Sequence, residues 1–181
     1  MDLPKRKPTR LPNFDYNTPG AYFVTICVKS KRCILGNIVG GGALDAPQIH
    51  LTKIGKIVER NLLSGNRISN VCVDKYVIMP NHMHIILKVT ESNGASKAPP
   101  PTTVTESNGA SKAPPPTNAV IPHFVSTFKR FCHNDIGEQI FQRSYHDHII
   151  RGDADYLKIW EYIHNNPAKW KEDCFYEEDC L

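Results

Sequence analysis

Within the stretch Met79-Pro80-Asn81-His82-Met83-His84-Ile85-Ile86-Leu87, the only strongly polar side chains of an apolar run are two histidines one residue apart. If the run is extended, His82, His84 and Ile86 share one face, while Met83, Ile85 and Leu87 share the other. The two imidazoles then sit roughly 6 to 7 Å apart on a strand rising ~3.3 Å per residue, so ring nitrogens of both can converge on one divalent cation. Imidazole suits Zn, Mn, Fe or Ni, and with oxygen donors added it can also hold Mg. The same pattern also reads as two half-exposed histidines on an ordinary strand. Pro80-Asn81 favours the metal reading, because it forms a tight connection from an apolar run over 71–79 into the histidine strand.

His146, Asp147, His148 and Arg151 make a second polar cluster. Structural hydrogen bonding is its first reading; support of the metal ligands or contact with a DNA backbone are the alternatives. Two tyrosines stand near these groups. Tyr145 can pack in the core or stack on a base. Tyr162, at helical spacing beside Ile159 and Ile163, reads on its own as a core residue.

A chain of 181 residues is long enough for one buried core and short for two ordinary domains. Its net charge of +4 and pI near 8.7 are compatible with a nucleic-acid partner without requiring one. The charge is uneven. Lys5, Arg6, Lys7 and Arg10 make the start basic, a composition that tracks phosphates or remains a solvated terminus. Glu172, Asp173, Glu177, Glu178 and Asp179 make 171–181 acidic. Six cysteines form no Cys-x-x-Cys pair and read as buried or incidental thiols of a reducing compartment. With no secretory signal and no stretch long enough to span a bilayer, the expected location is the cytoplasm and no membrane partner is expected.

Several elements must position the histidines. Aromatic and β-branched residues after Pro19-Gly20 predict a strand over 21–28. A weaker strand over 33–39, broken by Gly40-Gly41-Gly42, returns over 48–51 as a hairpin. Thr52 can cap a helix in which Ile54, Ile57, Val58, Leu62 and Leu63 recur at helical spacing, with Gly65 as the stop. Two strands over 71–79 and 82–89 follow. Residues 89–102 then recur as 104–117, and this polar Pro, Ser, Gly and Ala repeat cannot bury enough apolar surface to order itself. A flexible insertion over 89–120 is the reading. Helical periodicity resumes over 121–136, with Lys129 and Arg130 on the exposed side, facing either DNA or solvent. A partly extended stretch covers 140–150, and Asp153 or Asp155 opens a last helix that stops at Asn166-Pro167. The order strand, helix, strand, strand, helix, strand predicts an α+β, ferredoxin-like antiparallel sheet with helices on one face and an appended C-terminal helix.

Pro80-Asn81-His82-Met83-His84 followed by aliphatics resembles the HUH motif of single-tyrosine transposases, with Met83 in the central apolar position. The nearest likeness is to the REP-associated tyrosine transposases, bacterial relatives of the insertion-sequence transposases that act on single-stranded DNA hairpins. Phe141-Gln142-Arg143-Ser144-Tyr145-His146-Asp147-His148-Ile149-Ile150-Arg151, then Glu161-Tyr162-Ile163-His164-Asn165-Asn166-Pro167, is similar to that family's second signature. Tyr16-Asn17-Thr18-Pro19-Gly20-Ala21-Tyr22-Phe23-Val24-Thr25-Ile26-Cys27 resembles its N-terminal stretch. Three motifs in the family's order cover most of the chain outside the insertion.

The resemblance implies histidines on a central strand and a nucleophile on the helix beside it. In that family a polar metal ligand follows the nucleophile by four residues, and positions i and i+4 share a helix face. Tyr162 and Asn166 fit, although many insertion-sequence relatives have Gln where this chain has Asn166. The implied enzyme is a single-stranded DNA endonuclease and strand transferase acting on hairpins through a 5′-phosphotyrosine. Its cation would be Mg or Mn, held by His82, His84 and Asn166. Lys5, Arg6, Lys7, Arg10, Lys129, Arg130 and Arg151 are the DNA contacts expected, with Phe14, Tyr16 and Tyr22 as base-stacking platforms, Tyr22 reading equally as a core residue. The alternatives are a nuclease that uses metal-bound water and a catalytically idle hairpin-binding regulator. Insertion-sequence relatives pair sites across dimers and REP-associated ones act as monomers; the sequence decides neither. The expected organisation is a basic arm over 1–20, one catalytic domain over 21–170 that includes the insertion, and an acidic tail over 171–181.

Overall fold

A computed structural model describes residues 16–40, 47–65, 70–90 and 119–180. The basic arm with Lys5, Arg6, Lys7 and Arg10, together with Phe14 and the repeat over 91–118, lies outside them. In chain order the elements are β1 Gly20–Cys27, β2 Gly36–Val39, β3 Gln48–Leu51, α1 Lys53–Ser64, β4 Val71–Ile78, β5 His82–Val89, α2 Val120–Ile136, β6 His146–Ile150 and α3 Gly152–Asn165.

β2 and β3 pair as a separate hairpin, and the other four strands form one sheet in the order β4-β5-β1-β6. Every neighbouring pair runs antiparallel. This is the interleaved order of the ferredoxin-like plan, as the element order predicts. Alternation along β1 and β5 builds two layers on the sheet. Tyr22, Val24 and Ile26 of β1 join Met83, Ile85 and Leu87 of β5 in a core with Val58 and Leu62 of α1 and Phe124 and Phe128 of α2. On the opposite face Ile159 and Ile163 of α3 settle on Ile86, with Phe23 and Val77 beside them. The helices α1 and α2 thus share one face, and α3 is the appended helix on the other.

Local chemistry sets the boundaries. Thr52 caps α1, its Oγ1 accepting from the Gly55 amide at 3.1 Å. Pro80-Asn81 closes the β4–β5 hairpin, with the Met79 amide donating to the His82 carbonyl at 2.9 Å. The Asn81 carbonyl also accepts from the Val28 amide at 2.8 Å, tying the turn to the end of β1.

Four expectations differ from the structure. The segment expected as an acidic tail folds back: two 3-10 turns, Trp170–Glu172 and Glu178–Cys180, bring Trp170 and Cys180 into a cluster with Met79. Cys180 is joined there to Cys33 as a disulfide, with Cα atoms 5.2 Å apart, so these two are not free thiols. Sequence spacing could not pair them, since they lie 147 positions apart. Tyr16 is buried at 5% exposure, which removes it as a stacking platform, and Tyr22, at 1%, takes the core place of its two readings. Lys129 does not face outward: its Nζ donates to the carbonyls of Gln142, Ser144 and Arg143 at 2.8, 3.1 and 3.3 Å, and burial pushes its ammonium down to about 8. Among the described residues no helix is long and apolar enough to cross a membrane.

Candidate active site

β5 delivers His82 and His84 to the sheet face that carries α3, and β1 lies beside it in register, with Thr25 opposite His84 and Cys27 opposite His82. Both imidazoles are shut in, at 0% and 1% exposure. Their Nε2 atoms lie 3.0 Å apart. The outer nitrogen of each ring is held: His82 Nδ1 lies 2.9 Å from Asn81 Oδ1, and His84 Nδ1 lies 2.8 Å from Thr25 Oγ1. An amide oxygen only accepts, so His82 carries its proton on Nδ1 and turns a lone pair inward at Nε2. The Thr25 hydroxyl accepts as readily as it donates, which lets His84 do the same.

α3 adds a phenol and an amide. Docking through Ile159 and Ile163 aims Tyr162 and Asn166, four residues apart, toward the imidazoles. The Tyr162 hydroxyl lies 3.1 Å from His84 Nε2. Its ring stands edge-on to Phe23, which itself stacks on His84 at 5.2 Å. The missing member is Asp173, in the segment expected as an acidic tail. Its Oδ2 accepts from the Tyr162 hydroxyl at 2.9 Å and from Asn166 Nδ2 at 2.8 Å, and its Oδ1 accepts from the Phe175 amide at 2.7 Å. It stands 3.9 Å from His84 Nε2, too long for a hydrogen bond.

The electrostatics follow from burial. Desolvation, then the neighbouring His84, lowers His82 from an imidazole's ordinary 6.5 to about 3. Burial also lowers His84, against the pull of Asp173. Burial first, then the charge of Asp173, raises the Tyr162 phenol well above its usual range. For Asp173 burial acts to raise the carboxyl, but attraction to His84 and donation from Phe175 and Asn166 outweigh it and hold the group far below the carboxylate range. The resting centre is two neutral imidazoles, one carboxylate and one protonated phenol.

A divalent cation fits this donor set. His82, His84 and Asp173 each offer a ligand atom, all within 4.8 Å of one another. Two nitrogens ~2.1 Å from one cation and at right angles to each other are about 3.0 Å apart, the separation found here. Asn166 Oδ1 is buried and has no hydrogen-bond partner, an acceptor that a cation would satisfy. Imidazole nitrogens with amide or carboxylate oxygens suit Mn, Zn or Fe, and Mg when oxygens dominate.

The structure therefore brings His82, His84, Tyr162 and Asn166 together. Arg130 lies on α2, in the layer on the opposite face of the sheet, over the Phe131 ring. Arg151 precedes α3, and its amide donates to Asp155 Oδ2, which also meets His148 at 2.9 Å. His148 and the Arg151 amide are thus tied to the first turn of α3. Tyr145 packs against the core. A cleft of about 290 Å³ opens on the outer side of Tyr162, lined by Lys158, Asn165, Asn166, Lys169 and Asp173 among others. Thr25, Asn81 and Asp173 are the site residues that sequence reading did not find. Asn81 was legible only as a turn former, and Thr25 needed the β1–β5 register to reveal its partner.

No protein-family model matches the chain. A Haemophilus influenzae protein, uncharacterized, is 32% identical over 173 residues, covering 94% of this chain and 93% of that one. The chain belongs to the same family. Among solved structures, a REP-associated tyrosine transposase bound to a REP hairpin superposes with a TM-score of 0.58 at 19% identity, covering 94% of this chain and 74% of that one. The fold is that of the REP-associated tyrosine transposases, and the likeness read from the three motifs is borne out in it. A Deinococcus radiodurans protein described as a candidate transposase matches at a TM-score of 0.44 and 13% identity, over 89% of this chain and 96% of that one.

Proposed function

We propose that the chain is a metal-dependent endonuclease and strand transferase for single-stranded hairpin DNA, working through a 5′-phosphotyrosine at Tyr162. The observation that carries the reading is the Tyr162 hydroxyl 3.1 Å from His84 Nε2, within a donor set that fits a divalent cation. His82 and His84 would hold the cation with an oxygen donor from Asn166. Bound there, Mg or Mn supplies Lewis-acid stabilisation of the charge that develops on a scissile phosphate.

The chain's own residues do the rest. Asn81 and Thr25 fix the imidazoles, and Phe23 and the α3 backbone fix the phenol. The phenol oxygen forms a bond to phosphorus and loses its proton, while the bond from phosphorus to the 3′ oxygen breaks and that oxygen leaves as a hydroxyl. Because the phosphotyrosine retains the phosphoester bond, a second strand's 3′ hydroxyl can reverse the step and join DNA. The hairpin in the structural relative makes hairpin DNA the substrate class to test first. The region over 21–170 would form the catalytic domain, and the arm over 1–20 with Lys5, Arg6, Lys7 and Arg10 would add phosphate contacts. The cytoplasm is the compartment in which we place this activity.

The test is a labelled single-stranded hairpin oligonucleotide incubated with the chain, with and without Mg or Mn, and run on a denaturing gel. A covalent adduct that disappears in Tyr162→Phe is the expected result. Cleavage without an adduct would point to metal-bound water, and hairpin binding with neither product would point to an idle binder.

A further inference from the structure

The histidines of the centre just described are shut in, while Tyr162 keeps one side open to the cleft. Beyond Phe23 and Tyr162 themselves, the groups that cover the imidazoles come from one segment, residues 170–180. Trp170 and Phe175 lie against the His82 ring at centroid distances of 5.8 and 4.6 Å. Asp173 takes the Tyr162 hydroxyl and the Asn166 amide, and the Phe175 carbonyl takes Asn81 Nδ2 at 2.8 Å. A phosphodiester with its two flanking sugars is far larger than the carboxylate now beside the phenol, so the segment must swing away before DNA can meet the Tyr162 hydroxyl and the buried histidines together.

What fastens the segment lies at its far end. Cys180 is bonded to Cys33, in the loop that follows β1, and Lys31 pairs with Glu177 beside it. The ion pair is exposed and holds little. The disulfide is different in kind, because it bridges 147 residues and removes most of the freedom of the segment's end. Cys180 is buried at 3% exposure, whereas Cys33 is partly exposed and lines a cleft with Ser30, Lys31, Arg32 and Glu177. A reductant thus has an approach to one sulfur, that of Cys33. In a reducing compartment an accessible disulfide of this kind is transient, serving exchange more often than permanent stability.

We propose that Cys33 and Cys180 are a reversible thiol–disulfide latch: closed, it straps residues 170–180 over the His82, His84 and Tyr162 centre; reduced by a dithiol, it lets the strap lift. This rests on the reading of that centre as the site where DNA is cut. In opening, one thiolate of the dithiol attacks the Cys33 sulfur and Cys180 leaves as a thiolate that takes up a proton. The second thiol of the dithiol then displaces Cys33, which is protonated in turn, and the reductant ends as its own disulfide. Two electrons and two protons pass to the protein. Closing is the reverse exchange with a disulfide oxidant. The strap's Asp173 leaves with it, so the phenol and Asn166 become available together.

The full chain, oxidised with diamide or reduced with dithiothreitol, tests this without metal or DNA. Carbethoxylation of His82 and His84 by diethylpyrocarbonate, read by peptide mass spectrometry, should be at least tenfold slower in the oxidised chain. Amide exchange over 170–178 should be slower in parallel. Cys180→Ser and Cys33→Ser should each react at the reduced rate whatever the oxidant. Equal rates in oxidised and reduced chain, or an oxidant effect that survives both substitutions, would overturn the latch. Adding the hairpin oligonucleotide and Mn separates the two readings. Histidines that open on reduction without any adduct keep the latch and sink the DNA-cutting reading. An adduct formed equally fast in both redox states does the reverse.

Discussion

The phenol oxygen of Tyr162 lies 3.1 Å from Nε2 of His84, although 78 residues separate them in the chain. What joins them is an apolar contact: Ile159 and Ile163 of α3 resting on Ile86 of the histidine strand. Ile163 is 1% exposed, so Ile163→Ala should cost about 2 to 5 kcal/mol of stability, from lost transfer energy and the cavity left behind. In chain that remains folded, adduct formation should fall as well, because the helix that aims the phenol is no longer seated. Urea unfolding and the denaturing gel measure the two effects. A large stability loss with undiminished adduct would mean that α3 is positioned by something else.

Thr25 touches no reacting atom, yet its hydroxyl meets His84 Nδ1 at 2.8 Å and holds that ring in its orientation. Thr25→Val keeps the shape and removes the hydroxyl. Partners of metal-bound histidines typically account for 10–100-fold in affinity, so Mn binding measured by calorimetry should weaken within that range, while Thr25→Ser restores it. An unchanged affinity in the valine variant would limit Thr25 to packing.

These two residues mark what could and could not be read from the sequence. Alternation along β5 placed His82 and His84 on one face, and the spacing from Tyr162 to Asn166 placed both on one side of α3, because those relations are local and periodic. The four-strand sheet followed from element order for the same reason. Thr25, by contrast, became a partner of His84 only through strand register, which no local pattern encodes. Asp173 sits in a run of acids that looks solvated, and its burial depends on Trp170, Phe175 and Cys180 packing over the hairpin turn. Lys129 is outward by helical periodicity alone. It is turned in because three carbonyls of the 142–144 loop converge on it.

Stability should depend on pH with a definite sign. His82 titrates at about 3 in the folded chain against an ordinary 6.5, so between those values the unfolded chain binds a proton that the folded chain refuses. Stability from this group is full above about 6.5 and is lost as pH falls toward 3, at a slope of up to about 1.4 kcal/mol per pH unit. Asp173, also held below its usual range, adds a second loss as pH falls below the ordinary 3.8. Thermal unfolding from pH 8 to 4 should show Tm dropping mainly below 6.5, and His82→Gln should flatten that part of the curve. An unaltered slope in the glutamine variant would show that His82 is not the group responsible.

The duplicated repeat offers a test by removal. Thr90 is fixed by its amide donating to the Asn70 carbonyl at 3.0 Å, and the Val120 amide is fixed on Asn17 Oδ1 at 3.1 Å, so the repeat joins two anchored points. Deleting 104–117 removes 14 of the 28 residues over 91–118 and halves the connection. Halving the length of chain between two fixed ends changes the closure entropy by only about 0.6 kcal/mol, in the stabilising direction. The remaining residues can still span up to roughly 45 Å when extended. The deletion should therefore unfold at the same or a slightly higher urea concentration and form the Tyr162 adduct at the rate of the full chain. Loss of the adduct in a deletion that is as stable as the full chain would mean that the repeat itself contacts DNA.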